Sequence, residues 1–211
     1  SLWDVSGTAV STSQSSNTAD LNVSFMNPIV NFEFNSSNAT FSSMIHIADD
    51  VYAMAYEGDN NKATIQTIKI TATGSVTNSS FIATEEHDDA NGEYNHLVHL
   101  NGDKYVLFYR GTGSDGYAKV FKITANGQTV EQLSSALEFN TSDYQSGSAL
   151  KMTDSTLVFA YQRSSDDNYI ETFKVASDGT SITTIAERNH DNSYGKSNSL
   201  VRADEDTYIL S

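Results

Sequence analysis

The chain has 211 residues, of which 38% are hydrophobic, enough for one domain with a buried core or for a compact array of repeats. The 27 acidic and 12 basic residues give a formal charge of -15, which disfavours nucleic acid and anionic membrane surfaces as partners. Cysteine is absent, which excludes disulfides, thiolate metal sites and thiol nucleophiles. No apolar run is long enough to span a bilayer, so we expect no membrane insertion.

One pattern recurs four times, at offsets of 53, 52 and 51 residues. Its clearest segment reads MIHIADDVYAMAY, LVHLNGDKYVLFY, ALKMTDSTLVFAY and LVRADEDTYILS, beginning at Met44, Leu97, Ala149 and Leu200. The same offsets align a preceding segment, which begins EFN, EHD, EFN and NHD, and a following one, which ends at Gly74, Gly127 and Gly179. Three segments that agree at fixed offsets indicate a structural repeat of about 50 residues.

Each repeat divides into four short strands, A to D. Strand A leads through an Asp/Asn/Gly turn into strand B, and a Gly/Asp/Ser loop leads on to strand C, which reads IQTIKI, AKVFKI or IETFKV. Strand C turns at a glycine into a weaker strand D, which reads SVTN, QTVEQL or TSITTI. The B strands are apolar on both faces, and this predicts sheets stacked face to face.

In chain order, the segment LWDVSGTAV from Leu2 matches strands C and D of the third repeat, and the fourth repeat ends after strand B. We therefore predict an all-β fold, a β-propeller with four blades of four antiparallel strands, whose last blade is closed by the N-terminal strands. The predicted single domain, 1–211, divides into closing strands (1–14), an insertion (15–30), blades one to three (31–83, 84–135 and 136–186) and the inner closing strands (187–211).

The repeat resembles those of β-propeller proteins and, in blade number, the hemopexin-type propellers. The likeness implies the architecture alone, because the chain lacks the cysteines and aromatic features of hemopexin-type repeats. No haem or protease-partner role is carried over. A larger number of blades stays open as an alternative.

Equivalent residues of a circular array form a ring, and strand A carries a basic or histidine side chain in every repeat. This inner-strand column contains His46, His99, Lys151 and Arg202. Because strand A is innermost, the column is predicted to line the central channel and to hold an anion or ordered water. Alternatively, these side chains point into the seams between blades and form local hydrogen bonds.

Two acidic or amide columns are predicted to lie in the connection from strand D to the next strand A. The first contains Glu33, Glu86, Glu138 and Asn189, and the second contains Asn35, Asp88, Asn140 and Asp191. Phe34, His87, Phe139 and His190 stand between them. Such oxygens bind calcium or the hydroxyl groups of a sugar beside an aromatic ring. Alternatively, each residue caps a loop or bonds to the neighbouring blade.

The sequence carries no nucleophile elbow, zinc-protease motif, phosphate loop or dinucleotide fingerprint. We therefore predict a non-catalytic recognition or assembly module, extracellular or at the cell surface, which binds glycan or protein, with calcium as a candidate cofactor. One alternative is a glycoside-acting enzyme that uses carboxylates among Glu85, Glu86, Asp88 and Asp89. Another is a structural subunit that polymerises by strand exchange instead of staying a monomer.

Overall fold

The structure is a computed structural model that describes residues 33–35, 39–76, 80–89, 91–163, 167–192 and 197–211. The predicted closing strands (1–14) and insertion (15–30) lie outside these residues. The described chain consists of β-strands, turns and single 3-10 turns at Asp59–Asn61 and Thr112–Ser114, without an α-helix. No helix in this described part has the length and apolar character needed to cross a membrane.

The strands form four antiparallel sheets. Sheet 1 contains β1 (Thr40–Ala48), β2 (Val51–Glu57), β3 (Ala63–Lys69) and β4 (Phe81–Asp88). Sheet 2 contains β5 (Glu93–Asn101), β6 (Lys104–Arg110), β7 (Gly116–Ile123), β8 (Val130–Gln132) and β9 (Leu137–Asn140). Sheet 3 contains β10 (Tyr144–Lys151), β11 (Thr156–Arg163), β12 (Asn168–Val175) and β13 (Ile182–Asp191), and sheet 4 contains β14 (Leu200–Arg202) and β15 (Tyr208–Leu210). The all-β prediction is confirmed.

The central strands are buried on both faces, as the apolar B segments predict. In β2, Ala53, Met54 and Ala55 are all buried, and Val106, Leu107 and Phe108 of β6 are fully buried. Side chains of one strand alternate between the two faces of a sheet, so burial of consecutive residues requires packing on both sides. Each central strand therefore lies between two layers of apolar side chains.

The sheets stack in chain order along their first strands. β1 packs against β5, β5 against β10, and β10 against β14. Ala55, Leu107 and Phe121 belong to one apolar cluster, whose members come from sheets 1 and 2. The other clusters join sheets 2 and 3, with Phe108 and Phe159, and sheets 3 and 4, with Val158 and Leu200. The described residues show this stack but not a closed ring of four complete blades, because sheet 4 has two strands here.

The predicted glycine turns between strands C and D are confirmed. Gly74, Gly127 and Gly179 have φ of 75°, 71° and 82°, the left-handed region that glycine tolerates best. The later two turns pack against the preceding sheet. A methyl group added at Gly127 would lie 3.1 Å from Ile82 Cδ1, and one added at Gly179 would lie 2.7 Å from Leu133 Cδ1.

Strand D extends further along the chain than the sequence predicts. In sheets 1 and 3 it is β4 and β13, whereas sheet 2 divides it into β8 and β9, both paired with β7. Ser75 and Val76, at the start of the predicted strand SVTN, are not in a strand, and residues 77–79 lie outside the described part. The prediction that the two acidic or amide columns lie in the connection after strand D is therefore wrong in sheets 1 to 3. Their residues lie on strand D itself: Glu86, Asp88, Glu138, Asn140, Asn189 and Asp191.

Candidate functional site

Each complete sheet has a β-bulge near the end of strand D, at the repeated EHD, EFN or NHD segment. Thr64 pairs with Glu86 and Ala63 with Asp88, so His87 is the extra residue. Phe139 and His190 are the extra residues in sheets 2 and 3, as the pairs Tyr117 with Glu138 and Tyr169 with Asn189 show. A bulge bends its strand and redirects the extra side chain. The repeated segment therefore aims one ring out of each sheet.

The redirected rings pack edge-on against a tyrosine of the next sheet. His87 of β4 lies 5.0 Å from Tyr109 of β6 at an interplanar angle of 79°, and Phe139 lies 5.1 Å from Tyr161 at 81°. Phe34 has the same relation to Tyr56, at 5.2 Å and 77°. Edge-to-face contact is a favoured aromatic geometry. This contact is therefore a repeated element of the seams between sheets.

The second of the two acidic or amide columns supplies hydrogen bonds near these aromatic contacts. Tyr109 donates a 2.9 Å hydrogen bond from its hydroxyl to Asp88 Oδ2, and Asn35 makes a side-chain hydrogen bond with Tyr56. Asn140 instead caps its own loop through Ser142, at 2.8 to 3.1 Å. The alternative expectation, that these residues bond to a neighbouring sheet or cap a loop, is thereby confirmed for Asp88 and Asn140, while Asn35 lies outside the described strands. Asp191 lies exposed on β13.

An open polar cleft of roughly 390 Å³ lies at the seam between sheets 1 and 2, and we call it the seam cleft. Its lining residues are Glu86, His87, Asp88, Asp89 and Lys119. Lys119 projects from β7, and its Nζ lies 3.9 Å from Asp88 Oδ2 and 5.3 Å from the centre of the Tyr109 ring. The same ammonium donates to the His87 carbonyl. The cleft thus combines three carboxylates with one largely buried cation.

Electrostatics at the seam cleft follow from burial. Burial, more than the nearby Lys119 charge, lowers the pKa of His87 to about 3, so its imidazole is neutral at pH 7. Neither ring nitrogen has a hydrogen-bond partner among the described residues. The pKa of Lys119 is lowered by burial and partly restored by Asp88 and Asp89. Burial and the charge of Asp88 both raise the pKa of Tyr109, so this phenol stays a donor.

A partly exposed aromatic ring lies beside the cleft. Tyr117 stacks on Tyr109, with 5.7 Å between ring centres and an interplanar angle of 30°. Its pKa is raised by burial and then by the charges of Glu138, Asp115 and Asp88. Tyr117 thus stacks on the ring whose hydroxyl group bonds to Asp88.

The first acidic column is distributed over separate sheets and does not converge. Glu86 forms an exposed ion pair with Lys62, at 2.8 Å. Glu33 and Glu138 are exposed, and Asn189 is half-buried on β13. Only Glu86 of this column lines the seam cleft, where it joins Asp88 of the second column. The described residues contain no group of three or more His, Asp or Glu arranged to hold a metal ion.

The inner-strand column makes local hydrogen bonds to the hairpin turn that follows each first strand. The Nε2 atoms of His46 and His99 lie 2.8 Å and 3.0 Å from the Asp49 and Gly102 carbonyls. Lys151 pairs with Asp154 Oδ1 at 2.6 Å, and Arg202 donates to the carbonyls of Asp204 and Glu205. The local alternative is confirmed for these bonds, and an anion-holding channel ring stays a prediction.

A further polar column, which is not among the residues predicted from sequence, lies on the third strand of sheets 1 to 3, where Lys119 and Glu171 are buried and Gln66 is half-buried. It contains Gln66, Lys119 and Glu171, which are the second residues of the segments IQTIKI, AKVFKI and IETFKV. Glu171 accepts hydrogen bonds from Tyr161, at 2.9 Å, and from Thr184, at 2.6 Å. A polar residue inside an otherwise apolar strand was the available signal, because such a group needs a partner when buried.

No protein-family model matches the chain, and no curated protein matches it. Among solved structures, the fold is similar to a crystal structure of a protein from Lactobacillus plantarum, a Northeast Structural Genomics Consortium target, with a TM-score of 0.53 and 15% identity. The match covers 77% of this chain and 47% of the other, so the chain spans less than half the length of that protein. At this identity the likeness concerns the fold alone.

Proposed function

We propose that the chain is a non-catalytic recognition module of propeller architecture, extracellular or at the cell surface, and that it binds glycan through the seam cleft. The observation that carries the proposal is the cleft's combination of fixed carboxylates and a fixed ammonium group, beside which the partly exposed Tyr117 ring stacks on Tyr109. Sugars are held in this way, with hydroxyl groups bonded to charged side chains and an apolar ring face resting on an aromatic residue.

The polar groups of the cleft are held in place before any ligand arrives. Asp88 accepts from Tyr109, Lys119 is held by the His87 carbonyl, and Glu86 is paired with Lys62. A site ordered in advance loses little conformational entropy when it binds. Asp89 is exposed and Asp88 is only half-buried, so carboxylate oxygens remain accessible to the hydroxyl groups of a sugar.

Recognition is favoured over glycoside hydrolysis by the partners of the acidic groups. A glycosidase requires one carboxyl group that donates a proton and a second carboxylate that acts as nucleophile or base. Glu86 accepts from the Lys62 ammonium at 2.8 Å and Asp88 accepts from the Tyr109 phenol at 2.9 Å. Both carboxylates therefore act as hydrogen-bond acceptors for protein donors, whereas a general acid must donate.

We also propose that four sheets close into a ring, with the N-terminal strands completing sheet 4. The support is the apolar surface that stays exposed, among the described residues, at the end of the stack. Ile185, which aligns with Ile82 and Leu133, is 55% exposed, and His190, which aligns with His87 and Phe139, is also exposed. Val201 and Ile209, paired across sheet 4, are 52% and 53% exposed. At the earlier seams the equivalent residues are buried or half-buried, so a further turn and sheet surface would cover all four.

The glycan proposal is tested on a glycan array, with and without calcium. We expect binding by the wild type and loss of binding by the Glu86→Gln, Asp89→Asn double variant, whose substitutions keep side-chain shape at exposed positions. Glu85→Gln is the matched control, because Glu85 neighbours the cleft residues in sequence but does not line the cleft. No binding in either condition overturns the proposal. Hydrolysis of an arrayed glycan that is lost on Glu86→Gln would favour the enzyme.

A further inference from the structure

At one equivalent position of sheets 1 to 3, a side chain of the first strand accepts a hydrogen bond from a backbone amide of the first strand of the next sheet. Separate side-chain hydrogen bonds join Asn95 to Phe41 between sheets 1 and 2, and Tyr144 to Tyr94 between sheets 2 and 3. The amide of Leu97 donates to Ser43 Oγ at 3.1 Å, and the amide of Leu200 donates to Ser148 Oγ at 3.0 Å. Between sheets 2 and 3 the acceptor is a histidine, since the Ala149 amide lies 3.1 Å from His96 Nε2. Ser43, His96 and Ser148 are equivalent residues of the repeat.

The acceptor between sheets 2 and 3 is a histidine, which can gain a proton. The acceptors at the other two seams are serines, which cannot. A serine oxygen accepts a hydrogen bond at any physiological pH, whereas an imidazole nitrogen accepts only while it is unprotonated. The carbonyl of Ala149 also lies 3.4 Å from His96 Nε2. Protonation therefore turns this nitrogen into a donor for the carbonyl and leaves the Ala149 amide without its acceptor. An unpaired amide at a strand edge is costly when water is excluded.

The surroundings of His96 are apolar. Its ring lies 6.3 Å from the Phe159 ring of β11, and on β6 its register partner is Phe108. Burial lowers the pKa of His96, and the hydrogen bond with the Ala149 carbonyl opposes that shift. No charged side chain of the described residues adds to these two influences. Because the unprotonated ring nitrogen accepts from the Ala149 amide, protonation of His96 is favoured when this contact opens.

We propose that His96 is a proton-operated latch, which links β5 to the Ala149 amide of β10 at neutral pH and opens this contact on acidification. The two serine links are unaffected by the same proton. His87 at the other seam of sheet 2 has no part in this release, since it forms no inter-sheet hydrogen bond through its ring nitrogens. The proposal is independent of glycan binding.

Hydrogen exchange of three backbone amides, followed by NMR from pH 7 to pH 5, tests the latch. After correction for intrinsic exchange, we expect the protection of the Ala149 amide to fall by about tenfold for each pH unit below the onset of His96 protonation. Leu200 is the internal control, because global unfolding would expose its amide together with that of Ala149. Leu97 is followed for comparison, since His87 makes its own seam sensitive to acid. Parallel behaviour of the Ala149 and Leu200 amides overturns the proposal.

Two substitutions change the acceptor side chain at a seam. One places serine between sheets 2 and 3, and the other places histidine between sheets 3 and 4. His96→Ser, which copies the neighbouring serines, is expected to abolish the acid sensitivity of the Ala149 amide. Ser148→His is expected to confer the same sensitivity on the Leu200 amide. The second variant is informative even if the first fails to fold. A pH-independent Leu200 amide in folded Ser148→His overturns the latch.

Discussion

His87 is equivalent to Phe34, Phe139 and His190, and the rings of Phe34, His87 and Phe139 make the same edge-on contact with a tyrosine. The contact itself therefore uses the shape of the ring and not a polar atom. A buried imidazole nitrogen without a partner costs free energy that a phenyl ring avoids. The histidine thus makes the seam between sheets 1 and 2 less stable than a phenylalanine would, and sensitive to acid.

His87→Phe is expected to raise the free energy of unfolding at pH 7 by about 1 kcal/mol, because two unpartnered nitrogens are removed. The larger effect is on pH dependence. The folded-state pKa of His87 is about 3, below its ordinary value of 6.5, so its stability contribution is present above pH 6.5 and is lost as pH falls toward 3. Relative to the variant, the wild type should lose up to about 1.4 kcal/mol per pH unit in that range.

Urea unfolding at pH 7, 6, 5 and 4 measures this difference. Carboxylate titration affects both proteins alike and cancels in the comparison. A difference between the two unfolding free energies that does not change with pH would show that His87 is not buried as the seam requires.

Tyr109→Phe is expected to lower the free energy of unfolding by about 1 to 2 kcal/mol, because Asp88 loses a 2.9 Å donor at a half-buried carboxylate. Tyr117→Phe is the matched control. Its hydroxyl reaches the Thr112 carbonyl at only 3.4 Å in an exposed position, so we expect a loss within about 0.5 kcal/mol. Equal losses in chemical denaturation would contradict the Tyr109 to Asp88 bond.

The strands show which features of the fold are readable from sequence. Strands A, B and C and the turn glycines recur in residue type, so their burial and backbone conformation follow from local patterns. The bulges do not, because they depend on the register between β3 and β4 and between β12 and β13, which no local pattern encodes. For the same reason the sequence identified Glu86 and Asp88 but not Lys119, which reaches them from the next sheet.

Gly127→Ala tests whether the turn of one sheet packs against the preceding sheet. An added methyl group meets Val51 Cγ1 at 2.9 Å and Ile82 Cδ1 at 3.1 Å, in addition to the strain of φ 71°. Gly102→Ala is the matched control, since Gly102 has φ 53° with no atom within 4 Å of the added group. We expect losses of about 3 kcal/mol and about 1 kcal/mol, respectively. Equal losses in thermal unfolding would show that the Gly127 turn does not contact sheet 1.

Among the described residues, the stacking of sheets 1 to 4 leaves one apolar face of sheet 4 exposed. The equivalent face of each earlier sheet is covered by the next sheet. Val201 and Ile209 align with Val98 and Val106 of sheet 2, where Val106 is fully buried. A surface of this kind closes on another sheet of the same chain or on a second copy. Closure within one chain predicts a mass that stays at 23.0 kDa over a concentration series, whereas strand exchange predicts a mass that rises.

Closure by the N-terminal strands has a direct chemical test, because the chain contains no cysteine. Gly7 aligns with Gly179, and Ile185 aligns with Leu133, whose Cδ1 would lie 2.7 Å from a methyl group at Gly179. The double variant Gly7→Cys, Ile185→Cys should therefore form an intramolecular disulfide on oxidation, as should the control pair Leu133→Cys, Gly179→Cys. Mass spectrometry should find both pairs linked within a monomer. Linkage of the control alone, or of Cys pairs between two chains, would contradict the closed ring.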